Sequence, residues 1–314
     1  MTYDVIVVGG SYSGLAAALQ VARSRRNVLV VDAGERRNRF AETSHGFLTQ
    51  DGSSAVQIAH VGREQLLAYP NVTWVDARAE NAEGILDAFT VSTSSGADYK
   101  GRRLILATGV TDILPIIPGL RERWGKSVFH CPYCHGYEAG GGDIGVLATS
   151  SLSAHQALML ADWGNTKLFV NNMFEPSDDQ LAALAARNVT LDYGTIAAIS
   201  GEEAQPIVEF SDGRALSLTG LFTLSRTVVT GPLPQQLKCA LEDGPLGTFI
   251  QTDASKLTSV PGVYACGDTA LMAGSVSFAV GDGARAGVFS TSIANISQPN
   301  ALIYIGCVSV RACR

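Results

Sequence analysis

The sequence predicts an α/β protein built from two dinucleotide-binding, Rossmann-like domains, the second inserted in the first. Three observations predict it. The first apolar run, Val5 to Val8, ends in a glycine turn that opens an Ala-rich helical stretch. The same strand-turn-helix pattern recurs from Asp143 to Ala161. After a Gly231-Pro232 break, a late apolar strand, Gly262 to Cys266, ends in Gly267-Asp268 and leads into another helix. The expected units are residues 1–112, an inserted 113–232, and 233–314 returning to the first. A chain of 314 residues, 46% hydrophobic, is long enough for about two such cores.

Taken in order, Val5-Ile6-Val7-Val8 is the continuous apolar run of a strand buried on both faces. Gly9-Gly10-Ser11-Tyr12-Ser13-Gly14 follows as a dinucleotide fingerprint. Gly9 makes the tight turn, Gly14 lets helix and strand pack closely, and the helix N-terminus directs free N–H groups at a pyrophosphate. Ser11 stands where the middle glycine is usual; its Cβ crowds the phosphate approach, while its hydroxyl can donate a hydrogen bond. The next strand, Val28 to Val31, ends in Asp32, at the offset of an acid that binds ribose.

Arg36 to Asp51, with Arg37-Asn38-Arg39-Phe40 and His45, is polar and irregular and reads as a loop covering a ligand or facing solvent. Short β-type stretches at Val72–Val75, Phe89–Ser92 and Leu104–Leu106 suggest an inserted antiparallel sheet. Ala107-Thr108-Gly109 closes the last of them, and Pro115 and Pro118-Gly119 mark the exit from the domain.

In the second unit the turn after Asp143–Leu147 is Ala148-Thr149-Ser150-Ser151-Leu152-Ser153. Side chains stand where a second pyrophosphate needs glycines, and Asn171-Asn172 stands where arginines would hold a 2′-phosphate. That unit has the architecture for a nucleotide without the means to grip one. Further strands are expected near Thr190–Asp192, Ile207–Phe210, Thr227–Val229 and Thr248–Thr252, and a helix from about Ser275. Asp268 sits where a carboxylate can accept hydrogen bonds from a ribityl chain, ahead of that helix.

The chemistry is concentrated in His130-Cys131-Pro132-Tyr133-Cys134-His135-Gly136. Two thiols at C-x-x-C spacing can open and close a small disulfide, moving two electrons and two protons. Flanking histidines titrate near neutrality and can take the protons. The spacing alone also suits zinc sites and thioredoxin-fold proteins. Zinc would need a second ligand pair, and Cys239, Cys266, Cys307 and Cys313 contain no other C-x-x-C, so no metal is expected. Cys239 and Cys266 read as small buried hydrophobes, and Cys307 and Cys313 as part of a frayed tail or, less simply, a relay dithiol. His60 and His155 read as structural.

A net charge of −6 gives no basic surface for nucleic acid. No apolar run approaches the ~18 residues of a membrane span, and the first residues lack the order of a secretory signal, so a cytoplasmic protein is expected.

Gly9-Gly10-x-x-x-Gly14, Ala107-Thr108-Gly109, the Cys131/Cys134 pair in the second unit and Ala265-Cys266-Gly267-Asp268 occur in an order that resembles the low-molecular-weight thioredoxin reductase flavoproteins. The resemblance runs over nearly the whole chain. It implies an FAD domain built from both chain ends, an inserted nicotinamide-type domain carrying the cysteines, and a homodimer. Cys-Pro-Tyr-Cys-His-Gly-Tyr-Glu and the lost second fingerprint resemble the dithiol oxidase branch of gliotoxin and holomycin type. That branch implies a small-molecule dithiol as substrate and O2 as acceptor, yielding H2O2. By position it implies Cys134 facing the flavin, Cys131 exchanging with substrate, and proton transfer by His135, with His130 beside it. The implied FAD contacts are Gly9, Ser11, Gly14, Asp32, Ala33, Arg39, His45, Thr108, Gly109, Asp268 and Val276. Two other functions fit the same residues: a thioredoxin-disulfide reductase fed by NAD(P)H or ferredoxin, and a flavin-bearing protein that binds dithiols without turnover.

Overall fold

A computed structural model describes residues 1–292. Cys307 and Cys313 lie outside the described residues. The first unit is a seven-stranded sheet whose parallel part runs Val72–Asp76, Val28–Asp32, Thr2–Val8, Asp98–Leu106. The long strand Asp98–Leu106 has two different neighbours on its other side. Its first half pairs antiparallel with Ala88–Thr93, and its last three residues pair parallel with Val263–Ala265 from far along the chain. Val5, Ile6, Val28, Val30, Leu104 and Ile105 are at most 1% exposed, as continuous apolar runs covered on both faces require.

One face is covered by helices Tyr12–Arg23 and Val276–Ser292, which pack through small residues. A Cβ on Gly283 or Gly287 would overlap the backbone of Ser13 or Ala17, so these glycines let the two helices meet backbone to backbone.

The expected antiparallel insertion is only partly what forms. Val72–Asp76 joins the parallel edge beside Val28–Asp32, and Leu104–Leu106 pairs parallel with Ile6–Val8. The antiparallel portion is Ala79–Ile85, Ala88–Thr93 and the start of Asp98–Leu106. Short apolar runs reveal strands, but the partner of each is chosen by crossover geometry that local sequence does not encode.

A second sheet of five parallel strands has the order Val128–Phe129, Gly220–Thr223, Asp143–Leu147, Asn165–Phe169, Thr190–Asp192. A three-stranded antiparallel sheet, Ile196–Glu202, Gln205–Phe210 and Ala215–Ser217, covers one side. Two strands link the halves: Val110–Ile113 leads out of the first sheet, Arg226–Val229 leads back, and they pair antiparallel. This side-by-side crossing brings Asp112, Ser225 and the start of the C-x-x-C segment to the same place.

Candidate active site

A cavity of about 520 Å³ runs from the first glycine turn to the cysteine pair. Gly9 has φ +102°, and a Cβ there would overlap the Ala107 carbonyl oxygen; a Cβ on Gly14 would overlap the Gly9 carbonyl. The turn thus needs both glycines. Gly14 does not line the cavity but supports Gly9 from behind. The Gly10 N–H donates to Asp32 Oδ1 at 2.9 Å, which holds the acid at the mouth of the turn. Ser11 is the N-cap of helix Tyr12–Arg23, and its hydroxyl makes no capping bond.

Ser11, Asp32, Ala33, Arg39, His45, Thr108, Gly109, Asp268 and Val276 line this one cavity together with His130, Cys131, Cys134 and His135. Gly109, at φ +68°, has open space where a Cβ would stand.

Sequence reasoning singled out Arg39 and passed over Arg37. Arg39 is exposed, lies over the Phe40 ring and donates to the Arg36 carbonyl at 2.7 Å. Arg37 is the organising cation. Its Nε and one terminal nitrogen hold Asp112 in a fork at 2.9 and 2.7 Å, and the other terminal nitrogen donates to Asp268 at 2.9 Å. Burial raises the Asp112 pKa, but hydrogen bonding and charge from Arg37, with help from Ser225 and His130, bring it below the usual carboxylate value. Behind Asp268, the Gly267 N–H donates to Asp282 at 2.9 Å, and Asp282 pairs with the buried Lys256 at 3.0 Å.

Cys131 caps helix Pro132–Ala139, with Pro132 at the first helical position and Cys134 closing the first turn. The two cysteines form a disulfide with Cα atoms 5.3 Å apart. The helix is seated by Gly136 against Trp163 and by Ala139 in the core of the second sheet, leaving Tyr133 and Tyr137 exposed.

His135 stacks on Phe129, with ring centroids 4.3 Å apart, and its buried Nδ1 has no hydrogen-bond partner. Burial, and then the nearby His45, lower its pKa to about 4. His130 is held through Nδ1, 3.3 Å from the Ser225 N–H and 3.2 Å from the Ser225 hydroxyl. Burial and then Arg37 lower its pKa to about 4 against the pull of Asp112 and Asp268. Both imidazoles are therefore neutral at pH 7 in this disulfide form and titrate below the near-neutral range expected from the sequence, because burial disfavours the charged ring. His45 reaches from the loop to Glu138 on the redox helix at 3.3 Å and to Asp51 at 3.7 Å.

In the second unit the glycine-free turn is bonded within the protein. The Thr149 N–H donates to the Ser153 hydroxyl at 3.0 Å, the Thr149 hydroxyl donates to the Leu224 carbonyl at 2.9 Å, and the Leu152 N–H reaches Ser150 Oγ at 3.3 Å. Asn171 and Asn172, at φ +48° and +58°, shape a bend. Asn171 accepts from the Ile196 N–H and Asn172 donates to Thr195. Cys239 and Cys266 are buried, and burial pushes the Cys266 thiol up to about 12, so neither supplies a thiolate near neutrality. His60 and His155 are exposed.

Two dinucleotide-type sheets with a redox disulfide opening on the first define a flavin disulfide oxidoreductase. The chain belongs to the pyridine nucleotide-disulphide oxidoreductase family, whose model matches residues 3–283. It is similar to an oxidoreductase of known structure from Agrobacterium tumefaciens, at 52% identity and TM-score 0.90, covering 92% of this chain and 97% of that one. HlmI, also of known structure, is 38% identical with TM-score 0.83 over 91% of this chain and 90% of its own. Thioredoxin reductase tcpT of Claviceps purpurea is 31% identical over 92% of this chain and 93% of its own. The fold is that of a thioredoxin reductase, and the protein is an FAD flavoprotein. The residues present fit FAD: a turn too tight for any Cβ at Gly9, an acid at the ribose position, and a cavity continuous with the disulfide, where the buried Nδ1 of His135 lacks a partner.

Proposed function

We propose that the protein is an FAD-dependent dithiol oxidase that closes a small-molecule dithiol into its disulfide, with O2 as acceptor and H2O2 as by-product. The observation that carries this reading is the second-unit turn, where the Thr149 and Leu152 N–H groups and the Thr149 hydroxyl are bonded within the protein at the place a nicotinamide nucleotide would need donors. Electrons then enter through thiols.

A substrate thiolate attacks Cys131, the Cys131–Cys134 bond breaks, and Cys134 leaves as a thiolate favoured by the helix N-terminus. The second substrate thiolate attacks the mixed disulfide, forming the product and freeing Cys131. The two substrate protons pass to neutral bases, a role supported for His135 and His130 by their lining the same cavity as the cysteines. Bound FAD supplies the two-electron acceptor that hands the pair to O2. The same reading has the enzyme act as a cytoplasmic homodimer, with light scattering as the check on assembly. Among the described residues no helix is long and apolar enough to cross a membrane.

The test is aerobic turnover of a small cyclisable dithiol without nicotinamide. One H2O2 per disulfide is expected, with arrest after one flavin equivalent when oxygen is removed. Disulfide formation that continued without oxygen would exclude the oxidase. A second reading, disulfide reduction, is favoured by the names of curated relatives, several of which are called thioredoxin reductases. Rapid anaerobic bleaching of the flavin by NADPH or by a reduced ferredoxin would establish that direction instead.

A further inference from the structure

The hydrogen-bonded chain behind the cysteines reaches His130 from three separate segments. Arg37 comes from the loop after the second strand, Asp112 from the outgoing link and Ser225 from the returning one. Asp112 Oδ1 accepts from Arg37 at 2.7 Å and from the Ser225 hydroxyl at 2.6 Å. Ser225 is 1% exposed, so water does not compete for these bonds. A serine hydroxyl has one proton, and the ionised Asp112 takes it, leaving Ser225 Oγ to face His130 Nδ1 with a lone pair at 3.2 Å. The Ser225 backbone N–H faces the same Nδ1 at 3.3 Å.

One nitrogen is thus offered both a donor and an acceptor. When Nδ1 is bare it accepts from the backbone N–H. When Nδ1 carries a proton it donates to Ser225 Oγ, and the positive charge is balanced through Ser225 by Asp112. The frame suits an imidazole that changes protonation state in place.

We propose that Arg37, Asp112 and Ser225 are positioning residues that make His130 the proton acceptor for Cys131, so that reduction of the Cys131–Cys134 disulfide is coupled to protonation of His130. This rests on the reading of Cys131–Cys134 as the working redox pair. In the disulfide form His130 is neutral, because burial and Arg37 outweigh Asp112, Asp268 and a hydrogen bond to the Thr223 backbone. Cys131 follows His130 in the chain and both line the same cavity, so a thiolate there adds negative charge to the surroundings of the ring and favours the imidazolium. The step balances: the incoming dithiol gives up two electrons and two protons, the disulfide bond takes the electrons, His130 takes one proton and His135 the other.

The experiment is a ¹⁵N-histidine NMR titration of the FAD-loaded protein, first oxidised and then reduced with a water-soluble phosphine, with His130→Gln locating the signal. The expected result is a His130 pKa that rises by roughly one to three units on reduction. Ser225→Ala and Asp112→Asn should shrink that rise, and Ser225→Thr should restore it. Flavin absorbance confirms that each variant is folded; should Ser225→Ala lose it, Asp112→Asn decides. A titration unchanged by reduction, or a full rise in both Ser225→Ala and Asp112→Asn, would overturn the proposal. The phosphine reduces the disulfide whatever the natural substrate is. Failure of aerobic dithiol turnover would therefore sink the oxidase and leave this coupling standing.

Discussion

At Arg37 two carboxylates 156 positions apart in the chain, Asp112 and Asp268, meet a single guanidinium. Removing it strands both in a partly dry site, so Arg37→Ala is expected to cost about 3–5 kcal/mol and release the flavin, read by urea unfolding and absorbance after gel filtration. Nothing in Arg36-Arg37-Asn38-Arg39 distinguishes the second arginine from the others, because the choice is made by partners remote in sequence. The cysteines and flanking histidines, by contrast, stand out as candidates from spacing and residue chemistry, and they line one cavity. Cys131→Ser and Cys134→Ser should each abolish turnover, since each sulfur is a covalent carrier, whereas His135→Ala should lower kcat by roughly 10²–10⁴, because water can partly replace a base. His130 and His135 also make a pH signature. Their folded pKa values of about 4 lie below the 6.5 of a free imidazole. The unfolded chain therefore binds more protons between those values, and stability is complete above pH 6.5 and lost as pH falls towards 4. His135→Phe, which keeps the stacking on Phe129, should flatten part of that loss in urea titrations at the two ends of the window.

The strands and helices were legible wherever an apolar run was bounded by turn residues. Thr2–Val8, Val28–Asp32, Asp143–Leu147 and the helix opening at Val276 all follow from such patterns. The neighbour of each strand was not, and Val72–Asp76 shows why: five residues record that a segment is extended but not whether the chain returns parallel or antiparallel. Turns carry sharper information, because a side chain either fits or does not. Gly14→Ala would drive a methyl group into the Gly9 carbonyl, so it should shift helix Tyr12–Arg23 and yield colourless, flavin-free protein. At the corresponding turn of the second unit, the Ser153 and Ser150 hydroxyls already accept from the N–H groups of Thr149 and Leu152. NADPH is accordingly expected to leave the flavin absorbance unbleached in anaerobic stopped-flow mixing, and saturable bleaching would contradict it.

Across the whole molecule, the fold places the disulfide helix of the second sheet over the cavity of the first, and His45 reaches Glu138 across that boundary. The inserted order of the units was legible from two proline-glycine breaks; their meeting at a paired crossing, Val110–Ile113 beside Arg226–Val229, was not, because it depends on both passages of the chain at once. One further consequence lies in the strand Asp98–Leu106, whose final partner is Val263–Ala265. A ribosome adding about 5–20 residues each second needs roughly 8–30 s to travel from the end of one to the end of the other. Throughout that interval the nascent chain exposes an apolar strand edge and lacks Asp268, so a fragment ending at residue 250 should neither keep FAD nor stay dispersed. Cofactor loading becomes a late event in biosynthesis, and the first half of the polypeptide depends on being shielded until the second arrives.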